Sequence, residues 1–194
     1  WRDAPAFFRY ITRTQSFLQD GTPDNDFLLY FPIYDVWHQE QGKNFLSFAI
    51  HGMRERLPQF YDIVASVRSN GYDLDYISDH FIETTTVENG LLKTEGGTRY
   101  KALILPSVNR MPIATLAKIE LLAKQGATIL FAGNYPSDVP GFSKLEQRRN
   151  EFKALMRKFP TTPSFSSVQT AKHGKGTIVT GTDYMALLSE CKAR

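Results

Sequence analysis

Three short stretches of the chain are apolar almost without interruption: residues 26–31 (DFLLYF), 101–105 (KALIL) and 127–132 (ATILFA). A strand with one face in water alternates apolar and polar side chains. A run that does not alternate has to be covered on both faces, and a parallel sheet held between two layers of helix meets that requirement. Between and around these runs lie segments with helical spacing. Residues 3–19 carry Phe7, Phe8, Ile11, Phe17 and Leu18 near a period of 3.6, with Pro5 in the first turn and Gly21 and Pro23 after the end. Residues 45–70 form a second helical region closed by Gly71, which Pro58 either divides or opens as a first-turn residue. Residues 112–124 begin at Pro112 and end before Gly126, residues 143–159 are charged and amphipathic, and residues 184–192 read as a last helix.

Further strands are expected at residues 72–77 (YDLDYI), which alternate, and at 176–180 (GTIVT). Residues 91–93 and 98–100 flank Gly96 and Gly97 as a hairpin, and residues 78–89 fit neither period. Strand and helix therefore alternate about five times, and right-handed crossovers turn that alternation into a doubly wound sheet. The expectation is an α/β fold of three layers, α/β/α, with a mainly parallel five-stranded sheet. Its flavodoxin-like order is 2-1-3-4-5, with the switch point beside the first strand. One domain is expected over residues 1–194, with a leading helix (1–22) and a core (23–194).

Composition excludes several classes. The 194 residues are 42% hydrophobic and 22% charged, an ordinary globular balance. A net charge of +3 does not call for a nucleic-acid partner, and no apolar run is long enough for a membrane span. Cys191 is the single cysteine and has no internal disulfide partner. Trp1 stands where an initiator Met would, and no signal pattern follows, so the chain is expected to be a segment of a longer polypeptide.

In a doubly wound sheet ligands bind beyond the carboxyl ends of the strands, so the loops there carry the chemistry. The loop expected after the first strand, residues 32–43, has bulky residues and Pro32 where a phosphate cradle needs glycines, which excludes a dinucleotide or flavin site. The central strand ends Leu105-Pro106-Ser107, without the aspartate of a phospho-accepting domain, and Ser107 lacks the glycines of a nucleophile elbow. Cys191 lies in a helix rather than on a strand-to-helix turn and reads as a structural thiol. His38, His51, His80 and His173 are scattered, so no metal is expected, and no cofactor. Asp73 and Asp75 fall on one side of a strand, either as an acid/base or sugar-binding pair or as the polar end of an edge strand. The tetrapeptide at residues 172–175 (KHGK) reads as a solvated basic turn.

The candidate site residues are Tyr34, Asp35, Trp37 and His38. Aromatic rings stack on sugar rings and an Asp accepts from hydroxyls, so the stretch fits substrate binding. It equally fits an aromatic plug against a neighbouring domain or the following helix, the simpler reading for a segment of a larger chain.

Residues 13–21 (RTQSFLQDG) followed by 26–32 (DFLLYFP) resemble a run of glycoside hydrolase family 106, the α-L-rhamnosidases. Residues 71–79 (GYDLDYISD), 100–106 (YKALILP), Met111-Pro112, 124–129 (KQGATI) and 174–179 (GKGTIV) continue it in order, so the resemblance spans about residues 5–190. The layout is also similar to the trimerisation-type domain of family 42 β-galactosidases. The resemblance implies a flavodoxin-like module, related to class I glutamine amidotransferases but without their nucleophile, that follows a catalytic barrel in the same polypeptide. The catalytic glutamates of the family belong to that barrel, and no catalytic residue is transferred here. The barrel is then the expected partner, with carbohydrate or a second copy of the chain as further partners, in a periplasmic or extracellular setting. A pure oligomerisation module and a free-standing small-molecule enzyme of flavodoxin or amidotransferase type are the competing readings.

Overall fold

The computed structural model describes residues 2–38, 53–161 and 167–191. Residues 39–43 of the expected loop and 45–52 of the expected second helical region lie outside the described residues, as does residue 192, the last of the expected final helix.

The leading helix α1 spans Ala4–Asp20 and ends at Gly21. Strand β1 (Phe27–Tyr30) is followed at once by the short helix α2 (Ile33–His38). Two helices, α3 (Met53–Arg56) and α4 (Pro58–Ser69), precede β2 (Leu74–Ile77). Pro58 occupies the first turn of α4, where its missing N–H has no intrahelical partner to lose. Helix α5 (Asp79–Thr84) leads into a separate antiparallel sheet of three short strands, β3 (Thr86–Glu88), β4 (Leu91–Lys93) and β5 (Arg99–Tyr100). The main sheet resumes with β6 (Ala102–Pro106), α6 (Ile113–Gln125), β7 (Thr128–Ala132) and α7 (Leu145–Met156). It closes with β8 (Gln169–His173), β9 (Gly176–Gly181) and α8 (Tyr184–Ser189).

The main sheet has six strands in the order β2-β1-β6-β7-β9-β8, parallel except for β8 against β9. The three apolar runs supply β1, β6 and β7, the middle of that sheet. Their side chains divide by parity. Leu28, Tyr30, Leu103, Leu105, Ile129 and Phe131 face a core shared with α5, α6 and α7. Phe27, Leu29, Ala102, Ile104, Leu130 and Ala132 face a second core shared with α4 and α8. Each strand thus needs apolar residues at every position.

Three expectations need correction. The sheet has six strands rather than five: β8 reads QTAKH, too polar to register as a strand, and its pairing to β9 at the sheet edge supplies the hydrogen bonds that define it. The segment after β1 is not wholly loop, because α2 forms there, with Val36 fully buried and the Val36 N–H donating to the Pro32 carbonyl at 3.3 Å. The KHGK segment is the end of β8 and the turn into β9, exposed at Lys172, Gly174 and Lys175 as expected, but its His173 is built into the structure: the ring stacks on Phe159, and Nε2 lies 3.1 Å from the buried Glu120 carboxylate.

Candidate functional site

The loops after β1, β6 and β7, three neighbouring strands of the main sheet, converge at its carboxyl edge on an open cavity of about 580 Å³. Helix α2 contributes Tyr34, Trp37 and His38, the segment after β6 contributes Arg110, Pro112 and Ile113, and the segment after β7 contributes Pro140, Gly141 and Arg148. This is the edge where a doubly wound sheet binds ligands.

The four candidate residues divide between structural and surface roles. Asp35 accepts the backbone N–H groups of Asn109 and of Arg110, the latter at 3.0 Å, and so ties α2 to the β6–α6 loop. It is a fastener, not a free acceptor for a hydroxyl. Tyr34 and Trp37 meet edge to face, with centroids 5.6 Å apart and planes at 89°. Trp37 remains 58% exposed, and His38 is exposed beside it. Partial burial and then the Asp79 charge push the Tyr34 hydroxyl above its ordinary range.

The opposite wall is held by two arginines of α7. Arg148 donates to three backbone carbonyls, those of Ser143 (2.7 Å), Pro140 (2.6 Å) and Gly141 (2.7 Å). Arg149 grips both carboxylate oxygens of Asp138 at 2.9 and 2.6 Å. That bidentate pair lowers the Asp138 pKa to about 2, helped by the Val139 N–H. The Met111 N–H donates to the Asp138 carbonyl at 3.1 Å, which couples this wall to the β6–α6 loop.

A second polar cluster sits at the same edge. Tyr30, buried at the end of β1, donates to Asp79 at 3.0 Å, and Thr115 donates to the same carboxylate at 2.6 Å. Burial first, and Asp79 second, hold the Tyr30 phenol far above its ordinary range, so it stays a neutral donor. On the other face of the sheet Gln59 of α4 donates to the Ala132 carbonyl (2.6 Å) and accepts the Ser107 N–H (2.9 Å). Ser107 Oγ in turn accepts the Asn134 N–H at 3.3 Å, so this serine staples two strand ends.

Asp73 and Asp75 are not brought to the cavity. Asp73 precedes the edge strand β2 and accepts the Leu74 N–H and Arg68 Nε. Asp75 accepts the Tyr100 hydroxyl at 2.8 Å. Cys191 follows α8, half-buried, and burial pushes its thiol up to about 12, as a structural thiol requires. Among the described residues no three of His, Cys, Asp and Glu are placed to hold a metal ion, and no helix is long and apolar enough to cross a membrane. Sequence reasoning missed Arg110 and Arg148. Arg110 had the same signal as α2, a position just beyond a central strand, whereas Arg148 lies within a charged helix and carried none.

The family model for α-L-rhamnosidases of glycoside hydrolase family 106 matches residues 1–194. The chain belongs to glycoside hydrolase family 106. A relative from Formosa agariphila, provisionally named a β-glucuronidase, is 28% identical over 155 residues, 80% of this chain and 11% of its own. The solved structure of a rhamnosidase from Novosphingobium sp. PP1Y is similar in fold, with a TM-score of 0.62 and 23% identity over 95% of this chain and 15% of that one. This family 106 chain therefore spans a small fraction of the proteins it resembles.

Proposed function

We propose that this family 106 chain is a non-catalytic accessory domain, flavodoxin-like in design, of a rhamnosidase-type glycoside hydrolase. It docks on the catalytic barrel of the same polypeptide. The observation that carries this reading is α1. Phe7, Ile11, Thr14 and Leu18 fall on one stripe of the helix with Phe8 beside it, yet no residue of α1 is buried. Phe7 and Phe8 are each 59% exposed and Leu18 74%. An apolar stripe of that size implies a covering surface. A chain that spans 11% and 15% of its relatives has a source for one in the rest of such a polypeptide.

The state of the carboxylates supports the non-catalytic part. Glycoside hydrolysis needs two carboxyl groups free to exchange protons or attack. At the carboxyl edge Asp35 is held by backbone N–H groups, Asp79 by Tyr30 and Thr115, and Asp138 by Arg149. Asp183 caps α8 through the N–H groups of Met185 and Ala186. The expected result is that the purified chain does not turn over aryl rhamnosides or galactosides. Turnover abolished by one carboxylate substitution within these residues would overturn the reading. In the intact protein, Trp37→Ala separates the two roles open to the α2 edge. A raised KM at unchanged melting temperature assigns it to the sugar pocket, and a lowered melting temperature alone assigns it to the barrel interface. If the apolar stripe instead pairs two copies, the intact protein sediments as a dimer that Leu18→Ser dissociates.

A further inference from the structure

We infer that the carboxyl-edge cavity is a binding site for an acidic sugar unit, a ring that carries a carboxylate or a sulfate. The inference rests on the reading of the chain as part of a carbohydrate-active protein and adds the chemical class of the ligand. Three features of the cavity point the same way. The first is Arg110. Its guanidinium lines the cavity with its side chain 26% exposed, and among the described residues it makes no hydrogen bond. The nearest carboxylate oxygen, on Asp35, is 3.8 Å from Nη1, within ion-pair range but too far for a hydrogen bond. The Asp35 oxygens are already occupied by the backbone N–H groups of Asn109 and Arg110. Five guanidinium donors are thus left for a ligand, in the fork geometry that fits a carboxylate or sulfate.

The second feature is Arg148 on the opposite wall. All its hydrogen bonds go to neutral carbonyls, one from each nitrogen, so its charge has no carboxylate partner among the described residues. Each terminal nitrogen keeps one further N–H. The uncapped first turn of α6, which begins at Ile113 on the cavity rim, adds its positive end. The third feature is Trp37. Its edge-to-face contact with Tyr34 fixes the ring while leaving it more than half exposed, and a fixed, exposed indole is a platform for the C–H face of a sugar. A neutral sugar would use the platform and leave the remaining guanidinium donors of Arg110 and Arg148 unused. A bare carboxylate would use the guanidinium groups and leave the platform empty. An acidic sugar uses both.

The test is calorimetric titration of the intact protein with four probes: sodium D-glucuronate, a monosulfated monosaccharide, L-rhamnose and sodium acetate. One of the two acidic sugars is expected to bind at least about tenfold more tightly than rhamnose or acetate, and to weaken as salt rises. The tighter of the two identifies the anion. Arg110→Gln and Trp37→Ala are each expected to weaken that sugar about tenfold, the effect of losing one charge-assisted contact or one aromatic platform. Rhamnose bound elsewhere in the protein is unaffected by Arg110→Gln. Neither side chain belongs to either core, so neither substitution opens a cavity in the sheet packing; Arg148 is left unchanged because it holds the 140–143 segment. Three results would overturn the inference: rhamnose equal to both acidic sugars, acetate equal to both, or acidic-sugar binding that survives Arg110→Gln. Each is a direct binding measurement, so failure here is distinct from failure of the accessory reading, which turns on hydrolysis by the purified chain.

Discussion

Asp35 and Asp138 show how one residue type serves two ends at the same sheet edge. Asp35 bonds to backbone N–H groups across 74 and 75 residues of chain, so its side chain closes a long loop that no local pattern announces. Asp35→Ala leaves those N–H groups without their acceptor and is expected to cost about 1–3 kcal/mol, read as a lowered urea midpoint. Asp138 is held near pH 2 by Arg149, below the ordinary carboxylate value, and this fixes the sign of its pH dependence. Its contribution is fully present above the unfolded pKa and is lost as pH falls through the folded one. Wild type and Asp138→Asn should therefore differ in urea midpoint at pH 5 and above, with the gap closing between about pH 4 and pH 2. A gap constant over that range would mean that Asp138 contributes only through its shape. Glu120 follows the same sign. Burial opposes its ionisation, but Lys124 and His173 more than offset that, and its pKa lies below the ordinary value.

At the scale of elements, strands are defined by two kinds of information. The continuous runs that become β1, β6 and β7 announce themselves because both faces are covered, as the two-sided burial of β7 illustrates. Ile129 and Phe131 face one core and Leu130 and Ala132 the other. Leu130→Ala removes a fully buried side chain from the middle of the sheet and is expected to cost about 2–5 kcal/mol by thermal or urea unfolding. Strand β8 has no such pattern, since its side chains alternate between half-buried and exposed positions, and only pairing with β9 makes it a strand. The turn between them presses on α6. A Cβ at Gly176 would lie 2.2 Å from the Ala127 carbonyl oxygen and 2.3 Å from that of Ala123. Gly176→Ala is therefore expected to destabilise by about 2 kcal/mol or more, because the obstruction is backbone and cannot rotate away. Helix α2 is the converse case. Its six residues have little helical signal of their own, and burial of Val36 together with the Asp35 contacts gives the segment its form.

For the molecule as a whole, the two cores account for the sheet and its covering helices but not for α1. Its apolar stripe adds nothing to the stability of the rest, since none of its residues is buried. The double substitution Phe7→Ser and Leu18→Ser should leave the melting temperature of the purified chain unchanged and increase its solubility. A fall of several degrees would show that the stripe packs on the core. The layered α/β architecture and its three central strands were legible in the amino-acid order, because burial on both faces imposes composition locally, residue by residue. The family was legible too, in the order and spacing of short motifs. What only the tertiary structure decided is which polar groups find one another. Asp35 became a fastener, and the Arg110 guanidinium lines the cavity without a hydrogen bond among the described residues, though both lie just beyond a central strand, because hydrogen bonds depend on positions in space that loops many residues apart bring together, and composition does not encode those positions.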